Sequence, residues 1–165
     1  MKFVFDTADL AILARAFAAA PELARDEARR FLHAATEYLK GEVVERTPAA
    51  AGTLRASIAA AVEEDGPGLL GVVATALDYA VPVELGTRPH KPPIEPLEQW
   101  VRTRLGLTDK AAASAARRIQ WKIAHYGTPA AGMFHRGVAA GRANVERLFA
   151  DGMARLRDRI VGAAR

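Results

Sequence analysis

Residues Pro21–Thr47 read PELARDEARRFLHAATEYLKGEVVERT, and the period of this stretch decides the fold. Ala24, Ala28, Phe31, Ala35 and Tyr38 recur every three or four residues, with Leu39 and Val43 beside them. That spacing draws one apolar stripe along an α-helix. Asp26 with Arg29 or Arg30, and Glu27 with Arg30, stand at i,i+3 and i,i+4 and are read as pairs on the wet face. Pro21 suits a first helical turn, where its missing N–H costs nothing, and Pro48 ends the helix. A helix with one apolar stripe needs a second layer to cover it, and the flanking sequence offers one.

Upstream, Lys2–Phe5 reads as a short strand and Asp6-Thr7 as a helix N-cap, after which Leu10, Leu13 and Phe17 recur at helical spacing. Downstream, TPAAAGTLRASI (Thr47–Ile58) is a turn-rich joint leading into extended chain. Ile58–Val62 and Leu69–Thr75 read as two strands around the turn Glu64–Gly68. Tyr79–Glu84 reads as a third strand, which Pro82 places at an edge or a bulge. The helical period then returns. Pro96 suits a first turn ahead of Leu97, Val101 and Leu105; Thr108 caps a helix aligning Ala112, Ala116, Ile119 and Ile123; Gly127 and Pro129 close it. A last helix carries Val145, Phe149, Leu156 and Ile160 on one side and five arginines largely around the others. The expected class is α+β: a long N-terminal helix packed on a small antiparallel sheet, with additional C-terminal helices. One domain is expected over residues 1–165, with a helix-plus-sheet core (1–93), a helical insertion (94–126) and a C-terminal helix (127–165).

Composition narrows the function. The 165 residues are half hydrophobic and a quarter charged, as in a globular chain. The core is rich in alanine and poor in aromatics, which suits closely approaching helices, gives modest burial per residue, and leaves neighbouring subunits to supply stability. The chain has no cysteine, which excludes disulfides, cysteine-ligated zinc, iron–sulfur clusters and thiol catalysis. MKFVFDTADL lacks the basic start and long apolar run of a signal peptide, and no stretch has the ~18–20 uninterrupted apolar residues of a membrane span. A reducing, soluble compartment is expected. The net charge of +4 is unevenly placed: residues 1–101 hold 10 basic against 15 acidic side chains, residues 102–165 hold 13 against 4. Such a bipolar chain suits an acidic neighbour or nucleic acid at one end. The basic half reads as lacking aromatic interleaving and a recognition helix, so sequence-specific binding is not expected.

No catalytic constellation emerges. His33, His90, His125 and His135 have neither i,i+4 pairing nor HExxH spacing. His33 lies mid-helix, and His125 sits in a last helical turn, where a cation complements the helix dipole. Ser57 and Ser114 lie outside any GxSxG elbow. On a strand, Asp78 and Glu84 would be roughly 20 Å apart, too far for a glycosidase pair. Gly66-Pro67-Gly68 has no GK[ST] after it and is a hairpin turn rather than a phosphate loop. The chain is expected to be no enzyme and to use no metal or cofactor.

Taken in order, the long helix, Pro48, Gly52, Leu54-Arg55, Ser57-Ile58, then Tyr79-Ala80, Val83-Glu84, Gly86-Thr87 and Pro92-Pro93 form a recognisable set. The set resembles the phage neck and tail-completion (head–tail joining) morphogenesis family, similar to minor tail protein Z-type and virion morphogenesis proteins. The resemblance spans Pro21 to Pro93, and more loosely GTPAAGMF (Gly127–Phe134). It implies a non-enzymatic virion protein, assembled in the bacterial host cytoplasm, that forms a six-fold ring of identical subunits at the neck or top of the tail tube. Its partners would be tail-tube, tail-terminator or head-closure proteins, with no membrane, and a basic lumen would tolerate passing DNA. The expected contact residues are Arg55, Tyr79, Glu84, Gly86, Thr87, Arg88, Pro89, His90, Lys91, Pro92 and Pro93. Tyr79–Glu84 would be an edge strand open to a neighbour's strand, Gly86 a sharp exit at positive φ, and RPHKPPIEP a stiff arm onto the next protomer. Glu84 would receive Arg55 or Arg88, or cap a turn. The alternative is a basic DNA-binding accessory protein of phage packaging or assembly.

Overall fold

A computed structural model of the chain describes residues 8–48, 52–65 and 68–163. The expected strand Lys2–Phe5 and cap Asp6-Thr7 lie outside them. The described elements are α1 (Ala8–Arg46), α2 (Gly52–Ser57), β1 (Ala59–Asp65), β2 (Gly68–Ala74), α3 (Ala80–Leu85), α4 (Ile94–Leu105), α5 (Asp109–Tyr126) and α6 (Met133–Ala163). This is the α+β arrangement expected: a long N-terminal helix, a two-stranded antiparallel sheet and C-terminal helices.

Two differences matter. Pro21 lies inside α1 rather than at the start of a second helix. Interior proline costs about 3 kcal/mol, but helix-forming residues stand on both sides, with no glycine or asparagine before it to stop propagation. Tyr79–Glu84 is no strand: Ala80–Leu85 is a helix, so among the described residues the sheet has two strands.

The residues group into two compact units. The first comprises described residues within 1–42, 59–74 and 137–165. Its hairpin pairs Ala59↔Ala74 through Asp65↔Gly68. β2 lies directly on α1, because a Cβ at Gly71 would stand 2.7 Å from Thr36 Cγ2 and 3.2 Å from Leu32 Cδ2. Near the hairpin end, the Glu64 carboxylate pairs with Arg25 and with Arg29, the latter at 2.8 Å. On another side of α1, Phe31 meets Phe149 of α6 edge-to-face, with centroids 5.4 Å apart.

Polar contacts join α1 to α6 as well. Asp26 pairs with Arg30 at 3.2 Å, as its spacing implies, and also with Arg159 at 2.7 Å. Glu27, read from sequence as a wet-face residue, is instead buried at 3 % exposure. Its Oε1 accepts Arg155 Nε at 2.7 Å, and Oε2 lies 3.7 Å from Arg159. Local spacing located Arg30 but gave no sign of arginines more than a hundred residues away.

The second unit comprises 43–58 and 75–136. Val43, Leu54, Ile58 and Met133 are buried there, as is Thr47, whose hydroxyl donates to the Val43 carbonyl at 2.8 Å. α4 and α5 form a helical hairpin centred on Val101, Ala112 and Ala116, all fully buried. The two alanines let the helices approach closely, and burying Val101 contributes roughly 1.5–3 kcal/mol. Pro96 stands in the first turn of α4 and Gly127 ends α5, both as expected. Leu105, by contrast, leaves the expected stripe and is half-exposed. The left-handed turn at Gly106 ends α4 there, and Leu107 packs on the cluster in its place.

Candidate interaction site

The Leu-Arg-x-Ser-Ile stretch builds the joint after α1. Leu54 and Ile58 are buried. Arg55 donates through Nε to the Thr47 carbonyl at 2.8 Å and through Nη2 to the Glu45 carbonyl at 3.3 Å. A cation thus meets carbonyls left unpaired at the C-terminal end of α1. Ser57 Oγ donates to the Leu54 carbonyl at 2.9 Å and meets Thr75 Oγ1 at 2.6 Å, tying α2 to the chain after β2.

α3 replaces the expected edge strand for a local reason. Pro82 is the third residue of α3, within the first turn, where its lack of an N–H is harmless. The helical arrangement leaves Val81 and Leu85 on solvent, 60 % and 72 % exposed, with Tyr79 just before them at 44 %. The open strand edge inferred from sequence is therefore absent, and an apolar helical face stands in its place.

Gly86 has φ 73°, so the expected sharp exit at positive φ is present. The chain turns onto its own unit rather than away from it. Thr87 and Thr128 form an antiparallel bridge, with N–O distances of 3.0 and 3.2 Å and hydroxyls 3.0 Å apart. A Cβ at Gly86 would lie 2.5 Å from the Thr128 carbonyl oxygen. Gly127 has φ 70°, and a Cβ there would collide with the Thr87 carbonyl. Two Gly-Thr pairs, 41 residues apart, thus fit backbone to backbone.

Glu84 has partners that the sequence reading did not name. Its Oε2 accepts the Phe134 N–H at 2.9 Å and its Oε1 accepts the His135 N–H at 3.0 Å. The carboxylate therefore caps the first turn of α6, where unpaired N–H groups and the helix dipole favour a negative charge. Beside it, the Val83 and Glu84 carbonyls accept Ala131 N–H at 2.9 Å and Gly132 N–H at 3.0 Å. Neither Arg55 nor Arg88 occupies the carboxylate. Repetition of Gly-Thr, and an acid two residues before the first pair, were the available sequence signals.

The proline segment is likewise held by its own chain. His90 N–H reaches the Ile123 carbonyl at 3.3 Å, and Gln120 Nε2 donates to the Pro92 carbonyl at 2.7 Å. His90 Nδ1 lies 3.0 Å from the Arg88 carbonyl. Apart from the His90 ring, the segment makes these bonds through its backbone, and the side chains of Arg88, Pro89, His90, Lys91 and Pro93 are exposed, with Pro92 half-buried. The structure thus divides the expected site. Arg55, Glu84, Gly86 and Thr87 build the unit internally; Tyr79 and Arg88 through Pro93 offer a surface.

Among the described residues no group of three His, Asp or Glu side chains is placed to hold a metal ion, and no helix is long and apolar enough to cross a membrane. Residues 12–86 match a family model described as "Bacteriophage HK97-gp10, putative tail-component". The matched segment covers most of α1, then α2, the hairpin and α3, and ends at Gly86. Neither a curated protein nor a solved structure matches the chain.

Proposed function

From the match of residues 12–86 to the HK97-gp10 tail-component family model, we propose that this protein is a structural, non-enzymatic subunit of a ring at the top of the tail. The ring completes the tail and joins it to the head, and its subunits meet through the surface from Tyr79 to Pro93. One observation carries this reading: Val81 and Leu85, one turn apart, expose an apolar face on α3, next in sequence to a proline segment held in place by hydrogen bonds within its own unit. Apolar side chains gathered on one exposed face mark contact surfaces, and a segment already ordered loses little entropy when a neighbour docks on it. Partners on the two ends of such a ring would be further tail proteins on one side and head-closure proteins on the other. The alternative contact through an added β-strand has no support, since the segment that would supply it is helical.

The test pairs Val81→Asp with Leu85→Asp. Both side chains are largely solvent-exposed, so the unfolding midpoint of the isolated chain stays unchanged. Light scattering should show loss of self-association, and particles carrying the double variant should lack joined tails. Normal tails and full infectivity from that variant would remove this surface from the assembly.

A further inference from the structure

We propose that the solvent face of α5 binds single-stranded nucleic acid, with phosphates held by Lys110, Arg117, Arg118 and Lys122 and a base stacked on Trp121. At 3.6 residues per turn, Lys110, Arg117, Arg118 and Trp121 project from the side of α5 opposite Ala112 and Ala116, which pack on α4. Lys122 stands at the margin of the same exposed face. Lys110 to Trp121 spans about 16 Å of helix axis, enough to follow several phosphates. After Asp109 at its first position, α5 contains no acidic residue.

These cations differ from four of the six arginines of α6. There Arg142, Arg155, Arg157 and Arg159 each pair with an Asp or Glu. On α5, Lys110, Arg117, Arg118 and Lys122 have no acidic partner among the described residues, and Arg118 reaches only Ser114 Oγ at 3.4 Å. Arg118 and Lys122 stand at i,i+4, where like charges repel. An external polyanion removes that repulsion. The aromatic groups identify which polyanion. Trp121 is 57 % exposed and stacks on His125 with centroids 4.2 Å apart and planes at 29°, while Tyr126, 70 % exposed, stands edge-on at 6.1 Å. A flat, exposed ring among cations is the arrangement that stacks an unpaired base beside its backbone. An acidic protein would use the charges but has no need of the ring. The basic half of the chain is therefore interleaved with aromatics after all, at spacings that only the helical period brings to one face.

Fluorescence anisotropy with a labelled oligothymidylate of about twenty nucleotides, the matching duplex and a polyglutamate peptide tests this on the full chain. Four phosphate contacts predict a salt slope of about −2.8 for the single strand, or roughly 50-fold weaker binding at 200 than at 50 mM salt. Replacing the four cations together with glutamine should abolish binding. Trp121→Ala should weaken the single strand roughly tenfold and leave duplex binding unchanged. All five side chains are exposed or at the surface, so circular dichroism should match the parent. No binding of the oligothymidylate at 50 mM salt would overturn the proposal. So would equal binding of polyglutamate, indifference to Trp121→Ala, or parent-like binding by the glutamine variant. The inference is separate from the assembly reading: Val81→Asp with Leu85→Asp should leave oligonucleotide binding intact, so either reading can fail alone.

Discussion

Glu84 caps a helix that begins 49 residues after it, its two carboxylate oxygens accepting the backbone N–H groups of Phe134 and His135 at 2.9 and 3.0 Å. A single acid at the end of α3 thereby orients the start of the longest C-terminal helix. The Glu-x-Gly-Thr stretch is a folding device first: the acid caps, the glycine turns, and the threonine bridges.

Replacing Glu84 with alanine removes both cap bonds and a charge at the helix N-terminus. The expected loss is about 1–2 kcal/mol. Glu84→Gln keeps one acceptor and should lose roughly half as much. Urea unfolding of the three chains checks the order, and equal midpoints for parent and alanine variant would contradict the cap.

Gly86→Val should unfold the second unit rather than merely redirect a free arm. A β-branched residue at positive φ costs about 1–2 kcal/mol or more, and its Cβ would press on the Thr128 carbonyl at 2.5 Å. A free arm at Gly86 would leave the protomer folded and block assembly alone. The bridge to Thr128 instead predicts a large fall in thermal midpoint, visible in the isolated chain. A Gly86→Val chain as stable as the parent would show that the bridge contributes nothing.

Asp26 should give the acid limb of stability. The hydrogen bond from Arg159 holds its carboxyl below the ordinary 3.8, with the charges of Arg30, Arg159 and Arg29 acting in the same direction and desolvation opposing. A carboxyl whose pKa is depressed by folding stabilises the fold above its unfolded value, and that contribution disappears as pH falls through the folded value. The contribution is thus complete above about pH 4 and lost below it. Asp26→Asn should flatten the pH dependence of the unfolding midpoint in that range, more clearly at low salt. Superimposable acid limbs would rule out the Arg159 contact as its source.

Glu27 and Arg155 should respond unequally. Glu27 is buried, whereas the Arg155 side chain is 53 % exposed. Arg155→Ala leaves a buried carboxylate short of its hydrogen bond and should cost about 1–3 kcal/mol. Glu27→Gln removes the buried charge while keeping an acceptor, and should cost less. Denaturant midpoints in the reverse order would mean that Glu27 does not depend on Arg155.

The sequence by itself determined much of this protein. The three- and four-residue period of Pro21–Val43 made α1, two apolar runs around Gly66–Gly68 made the hairpin, Gly86 required positive φ, and Gly127 ended a helix. These are local properties, set by side-chain spacing and backbone sterics within a few residues. Tertiary structure decided whatever depended on distant partners. Glu27 looked solvated until Arg155 covered it. Glu84 looked ready for an arginine until the first turn of α6 supplied two N–H groups. Tyr79–Glu84 looked like an edge strand because tyrosine, valine and proline suit both forms over so short a run. Pro82 fits a first helical turn as well as a strand edge, and the Ala131 and Gly132 N–H groups waiting for the Val83 and Glu84 carbonyls accompany the helix. A six-residue segment has too few backbone bonds of its own to choose, so its neighbours chose for it.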